Sequence, residues 1–97
     1  MLQPAIYIVA SKRDGTLYTG VTAVLVRRIW QHREGVTPGF ASKHGCTRLV
    51  WFELADTMEA AIVREKQIKA GSRAKKIALI EAANPEWRDL WGDIAHP

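Results

Sequence analysis

Ala5-Ile6-Tyr7-Ile8-Val9-Ala10, then Ser11-Lys12-Arg13-Asp14-Gly15, then Thr16-Leu17-Tyr18-Thr19-Gly20 is the stretch on which the fold depends. Its first six residues are mostly β-branched or aromatic, which favours a strand. Ser11 to Gly15 has turn chemistry, and Asp14-Gly15 is its strongest signal. Thr16 to Gly20 reads as a returning strand, so the chain opens with a hairpin. With a four-residue loop at Ser11 to Asp14, Tyr7 and Tyr18 stand directly opposite each other on one face.

Working outward, Thr22 is placed to cap a helix from about Ala23 to Arg33, with Leu25 and Ile29 buried and Gly35 as its stop. Val36 to His44 contains Pro38-Gly39 and reads as a loop. Arg48 to Glu53 holds Leu49, Val50, Trp51 and Phe52 and reads as a buried third strand. Asp56 and Glu59 have capping-box spacing, so a helix runs from there to about Lys69, before Gly71. Ser72 starts another helix, to about Ala83. Asn84-Pro85 reads as a cap and first helical position for a last helix to Trp91. The expected order is β-β-α-β-α-α-α: a small α+β fold with a three-stranded antiparallel sheet flanked by helices.

The chain of 97 residues is expected to form a single domain over residues 1–97, with room for one modest core. One cysteine, Cys46, excludes an internal disulfide and most structural zinc sites. The apolar run Ala5–Ala10 is far short of the roughly 20 residues that a membrane span needs. It also lacks the flanks of a secretion signal, and a cytoplasmic location is the expectation. The net charge is +4 and the pI near 9.6, which favours an anionic partner. The charge is uneven: Arg64, Lys66, Lys69, Arg73, Lys75 and Lys76 stand against Glu65 alone, and an acidic segment from Glu81 to Asp93 follows.

Three groups of residues invite a chemical reading. On the helix Met58–Lys69, Glu65 shares the apolar stripe of Met58, Ala61, Ile62 and Ile68. A carboxylate there needs a neutralising partner, either a metal ion or a cation in a boundary salt bridge. Arg28 and His32 lie one helical turn apart at the edge of the Leu25–Ile29 stripe. They suit phosphate recognition, or an ordinary edge-of-core pair. Tyr7 and Tyr18 are packing residues, or phenols placed to exchange a proton near a cation. His44 and His96 lack ligand-like neighbours, Cys46 reads as structural, and Trp30, Trp51, Trp87 and Trp91 read as core.

Ala5-Ile6-Tyr7, Tyr18-Thr19-Gly20, Arg28-Ile29-Trp30-Gln31-His32 and Arg64-Glu65-Lys66-Gln67-Ile68-Lys69 together resemble the GIY-YIG nuclease superfamily, and in particular its small stand-alone UPF0213 group. The resemblance runs from about Ala5 to Trp91. Ala5 stands where the family has glycine and Thr19 where it has isoleucine. The resemblance implies a metal-dependent endonuclease that hydrolyses phosphodiester bonds in DNA, in repair or processing. Tyr7, Tyr18, Arg28 and His32 would be catalytic, and Glu65 would hold one Mg²⁺ or Mn²⁺ ion. Asn84 is a candidate for a late family asparagine, although Asn84-Pro85 is already explained as a cap. Either Tyr7 or His32 would be the general base. Arg64, Lys66, Lys69, Lys75 and Lys76 are the candidate nucleic-acid contacts. DNA is the expected partner, with RNA open, and no membrane or obligate protein partner is expected. The alternative is a non-catalytic nucleic-acid-binding module on the same fold; an interaction domain without nucleic acid fits the basic stretch less well.

Overall fold

The computed structural model describes residues 3–95; His96 lies outside them. The elements are β1 (Ala5–Ala10), β2 (Leu17–Thr22), α1 (Leu25–Glu34), α2 (Phe40–Lys43), β3 (Arg48–Leu54), α3 (Met58–Ala70), α4 (Arg73–Ala83) and α5 (Trp91–Ala95). The three strands form an antiparallel sheet in the order β2-β1-β3, so the α+β reading holds. All six residues of β1 are fully buried, because it is the central strand and both its faces are covered. Ile6, Ile8 and Ala10 face a core with Ala61 and Ile68 of α3, Ile80 of α4 and Trp87. Tyr7 and Val9 face a second core with Ile29 of α1, Ala41 of α2, Cys46 and Leu49. Alternation along β1 thus divides the molecule into two cores, and burying each of its isoleucines contributes roughly 2 kcal/mol.

The hairpin register differs from the direct Tyr7–Tyr18 pairing. Tyr7 lies opposite Gly20 and Val9 opposite Tyr18. The backbone N–H of Ser11 donates to the carbonyl of Thr16 at 3.0 Å, so the loop is Lys12–Gly15, with Asp14 in the left-handed region at φ 58°. The tyrosines are therefore diagonal, but the shift preserves side-chain parity and they still share a face. Gly20 is required there, because a Cβ on it would fall 2.4 Å from the Tyr7 phenol.

Four boundaries need correction. Thr22 does not cap α1. Its Oγ1 accepts from the N–H of Val24 at 3.1 Å, which turns the chain just ahead of a helix that starts at Leu25. The segment read as a loop contains α2, a single turn too short to show periodicity. Helix α3 is capped by Thr57, whose Oγ1 accepts from the N–H of Ala60 at 3.1 Å, rather than by an Asp56–Glu59 box. The helix expected over Pro85–Trp91 is absent; those residues turn, and α5 begins at Trp91. Trp87, at φ 57°, is buried in the first core, whereas Trp91 packs against the second, so one helix cannot carry both. Asn84 is the staple of this turn: its Nδ2 donates to the carbonyls of Val50 (3.0 Å) and Arg88 (2.9 Å), and its Oδ1 accepts from the N–H of Arg88 at 3.0 Å. Trp30 is 47 % exposed, not core, because it lies off the Leu25–Ile29–His32 stripe. Ile62 is likewise exposed, which narrows the buried stripe of α3 to Ala61 and Ile68 with Met58 at its edge.

Candidate active site

Tyr7 of β1 and Arg28 and His32 of α1 meet where α1 crosses the sheet. The Tyr7 hydroxyl lies 2.8 Å from Nε2 of His32, and Nε of Arg28 donates to the Tyr7 oxygen at 3.3 Å. Arg28 has no acceptor, so the phenol is free to direct its own proton to Nε2, which places the imidazole proton on Nδ1. Nη1 of Arg28 donates to Oε1 of Gln31 at 3.2 Å, fixing the guanidinium between phenol and amide. Tyr18 closes the cluster, its ring 5.6 Å from that of His32 and 6.5 Å from that of Tyr7. A cleft of about 40 Å³ opens among Tyr18, Arg28, His32 and the segment 37–42, with room for water. Tyr7 is fully buried, one hydrogen bond beneath it.

Burial pushes the Tyr7 phenol above its usual pKa, an effect that the Arg28 guanidinium partly offsets. Burial, with the Arg28 charge as a second cause, lowers His32 to about 4. His32 is therefore neutral at physiological pH, and its Nε2 can accept a hydrogen bond from the Tyr7 hydroxyl.

Glu65 of α3 lies beside this cluster, and its side chain is only 12 % exposed. Its ion-pair partner is Lys69, at 2.9 Å, whose ammonium also lies 5.8 Å from the Tyr18 ring. Among the described residues no group of three or more His, Cys, Asp or Glu could hold a metal. A single hard carboxylate suits Mg²⁺ or Mn²⁺ that keeps most of its waters, and does not suit a structural ion.

Residues 3–78 match the GIY-YIG catalytic domain. The chain belongs to the GIY-YIG family. It is 41 % identical over 75 residues to a UPF0213 protein of Staphylococcus saprophyticus, covering 77 % of this chain and 90 % of that one. It is 40 % identical over 76 residues to a UPF0213 protein of Haloquadratum walsbyi, covering 78 % and 84 %. The solution structure of a UPF0213 protein from Bacillus halodurans superposes with a TM-score of 0.56 at 30 % identity, covering 92 % of this chain and 93 % of that one. The family is a nuclease family, and this chain is a small UPF0213-type member of it.

Of the residues singled out in the sequence, Tyr7, Tyr18, Arg28 and His32 meet, and Glu65 stands beside them through Lys69. Asn84 does not join them; its amide is committed to the backbone of Val50 in β3 and of Arg88 in the turn. The basic residues divide. Lys69 and Lys76 line a groove beside Tyr18. Arg64 and Lys75 line a separate cavity with Lys76, and Arg64 is tied to Glu53 at 3.1 Å. Lys66 is exposed. Sequence reasoning missed Gln31, which holds Arg28 from one turn away, and Phe40, which stacks on Tyr18 from α2. The (i, i+3) spacing to Arg28 could have found Gln31; nothing local marked Phe40.

Proposed function

We propose that this GIY-YIG protein is a metal-dependent endonuclease that cuts phosphodiester bonds in DNA. The cluster of Tyr7, Arg28 and His32 under one cleft carries the reading, with Glu65 held beside it by Lys69, whose ammonium lies over the Tyr18 ring. Glu65 would hold one Mg²⁺ or Mn²⁺ ion after Lys69 leaves it, and the ion would supply neutralisation of charge on phosphate and leaving oxygen. Arg28 spends two of its five N–H donors on Tyr7 and Gln31. The rest serve the equatorial oxygens of the transition state. Nε of Arg28 stays on the Tyr7 oxygen, whose remaining lone pair would take the attacking water from the cleft. Tyr7 then takes the proton of the attacking water while passing its own to Nε2 of His32, so no phenolate need form in advance. Tyr18, at the mouth of the cleft, orients the water or a phosphate oxygen.

The test is paired. Labelled duplex, single-stranded, flapped and branched DNA are incubated with wild type and Glu65→Ala, with Mn²⁺, Mg²⁺ or EDTA, and the same DNAs are titrated by anisotropy. Wild type should cut only with the ion. Glu65→Ala should not cut, but should bind as tightly or more tightly, because it removes a negative charge facing phosphate and frees Lys69. Equal binding with no cutting by either protein would favour a binding module on this fold. Joint loss of folding and binding in the variant would make Glu65 an ion-pair partner of Lys69 and nothing more.

A further inference from the structure

Beside the Tyr7–Arg28 cluster, the β2 edge of the sheet carries an open groove of about 430 Å³. Its walls include Tyr18 and Thr19 of β2, Phe40 of α2, Lys69 at the end of α3, and Arg73 and Lys76 of α4, and no carboxylate lines it. Its size falls within the ~300–1,000 Å³ of small-ligand sites. Tyr18 and Phe40 line both this groove and the cleft with Arg28, so the two are adjacent.

Two features of the lining offer more than the fold uses. The first is Phe40. It is 51 % exposed, and Ala41 is the buried residue of α2, so the core does not need the phenyl ring. Phe40 instead extends a row of rings: it is nearly parallel to Tyr18 (6.4 Å between centroids, 25°) and lies 4.3 Å from the His44 ring. The second is a pair of cations held in place without being neutralised. Nη2 of Arg73 donates to the carbonyls of Asp14 (2.7 Å) and Gly15 (2.8 Å). Nζ of Lys76 donates to the carbonyls of Lys69 (3.3 Å) and Gly71 (3.0 Å). Carbonyls orient these side chains but leave their charge uncancelled, and among the described residues neither has a carboxylate partner.

A phosphate alone would account for the cations and not for the ring. An apolar ligand would account for the ring and not for the cations. A planar base joined to a phosphate accounts for both, and only an unpaired base offers its face, since duplex bases are stacked on each other. Building on the DNA-cleaving reading, we propose that this groove is a nucleotide subsite for the strand being cut: Phe40 stacks on an unpaired base while Arg73 and Lys76 hold the adjoining phosphate. Because Tyr18 is common to groove and cleft, the nucleotide held here flanks the phosphodiester presented to Arg28. Preferred substrates then carry at least one unpaired nucleotide next to the cut.

The experiment measures anisotropy of a labelled oligo-dT and of a blunt duplex of equal length, with the full chain in EDTA so that nothing is cut. Phe40→Ala should weaken oligo-dT binding by about tenfold, in the range found for base–aromatic stacking, and leave duplex binding within about twofold. Phe40→Trp should restore it. Phe40→Leu keeps an apolar side chain without the ring and should behave as Phe40→Ala. Arg73→Gln should lower the salt slope on oligo-dT by about 0.7, one phosphate's worth. An unchanged oligo-dT affinity in Phe40→Ala, wild-type affinity in Phe40→Leu, or equal loss on both DNAs would overturn the subsite. The two proposals fail separately. DNA cutting by a protein whose oligo-dT binding is indifferent to Phe40 would remove the subsite and keep the nuclease. Phe40-dependent oligo-dT binding by a protein that cuts no DNA would keep the subsite and remove the nuclease.

Discussion

Arg28 is the residue on which the hydrogen bonds of the candidate site converge, and in the proposed reaction its shape matters as much as its charge. It donates to a phenol through Nε and to an amide through Nη1, with hydrogens left over. Lysine at this position keeps the charge but cannot make both bonds while facing phosphate. Arg28→Lys should therefore lose on the order of 10² or more in cleavage rate, nearly as much as Arg28→Ala; single-turnover kinetics on the preferred DNA would measure it, and near-normal turnover in the lysine variant would make Arg28 peripheral. His32 makes a different prediction. Its folded pKa of about 4 lies below the ordinary 6.5, so the unfolded chain takes up the proton first. The neutral ring's contribution is complete above about pH 6.5 and is lost as pH falls from there through 4, by roughly 3 kcal/mol when fully protonated. The melting temperature should fall between pH 7 and 4.5, and fall less in His32→Gln, which has no group titrating there. Equal falls in the two proteins would place His32 in contact with solvent.

Among the elements, the segment from Asn84 to Leu90 does most to join one part of the fold to another. Asn84 ties the end of α4 to β3 through Val50, and Asp89 receives the N–H of Leu49 and pairs with Arg33 of α1. Trp87 is the anchor, with its indole N–H donating to Glu81 at 2.7 Å and its carbonyl receiving Arg48 at 3.2 Å. Asn84→Ala leaves buried backbone groups of β3 and of the turn without partners and should destabilise the protein by about 3 kcal/mol. A thermal melt would show a drop of at least 10 °C for a chain of this size, while the intrinsic chemistry per folded molecule should persist, since the amide has no partner in the Tyr7 cluster. Loss of cutting in a variant that melts like wild type would bring Asn84 into the site after all. The hairpin turn is held from outside by Arg73, so α4 positions both the groove and the strand beneath it.

At the scale of the whole molecule, two faces of one central strand serve two ends. Ile6, Ile8 and Ala10 build the core under α3 and α4, while Tyr7, on the opposite face, meets α1. The stability of this arrangement rests on packing. A divalent ion on a single carboxylate adds little to it, so chelation should abolish cutting and leave the melting temperature within about 1 °C. Unfolding in EDTA would show a structural ion. Binding should depend on salt with a slope of about −0.9 per phosphate neutralised on duplex DNA. The slope should be smaller than the number of basic residues in segment 64–76 suggests, because Arg64 is tied to Glu53 and Lys69 to Glu65. No helix of the described residues is long and apolar enough to cross a membrane.

The sequence by itself determined the three strands and the two long helices after β3, through local signals: β-branched runs, Gly71 and Ser72 as boundaries, and residue types at helical spacing. Tyr7, Tyr18, Arg28, His32 and Glu65 were singled out by the resemblance of their motifs to the family, since spacing alone allowed packing and ion-pair readings of each. The sequence also determined that Tyr7 and Tyr18 share a face, because any even shift of the hairpin keeps parity. Which residues lie opposite them did not follow, since the loop position rests on Asp14 taking a left-handed conformation under contacts from Arg73. Nor did the place of Asn84, because a cap motif is satisfied equally well by β3 as by its own helix once Trp87 is drawn into the core. The split of the basic stretch into free and paired cations was decided across elements too: Glu53 is eleven residues from Arg64, and the carbonyls that hold Arg73 lie 58 and 59 residues away. Sequence spacing reports neighbours on one helix or strand; ion pairing, burial and the pKa of a histidine depend on what other elements bring against it, which only the packed chain decides.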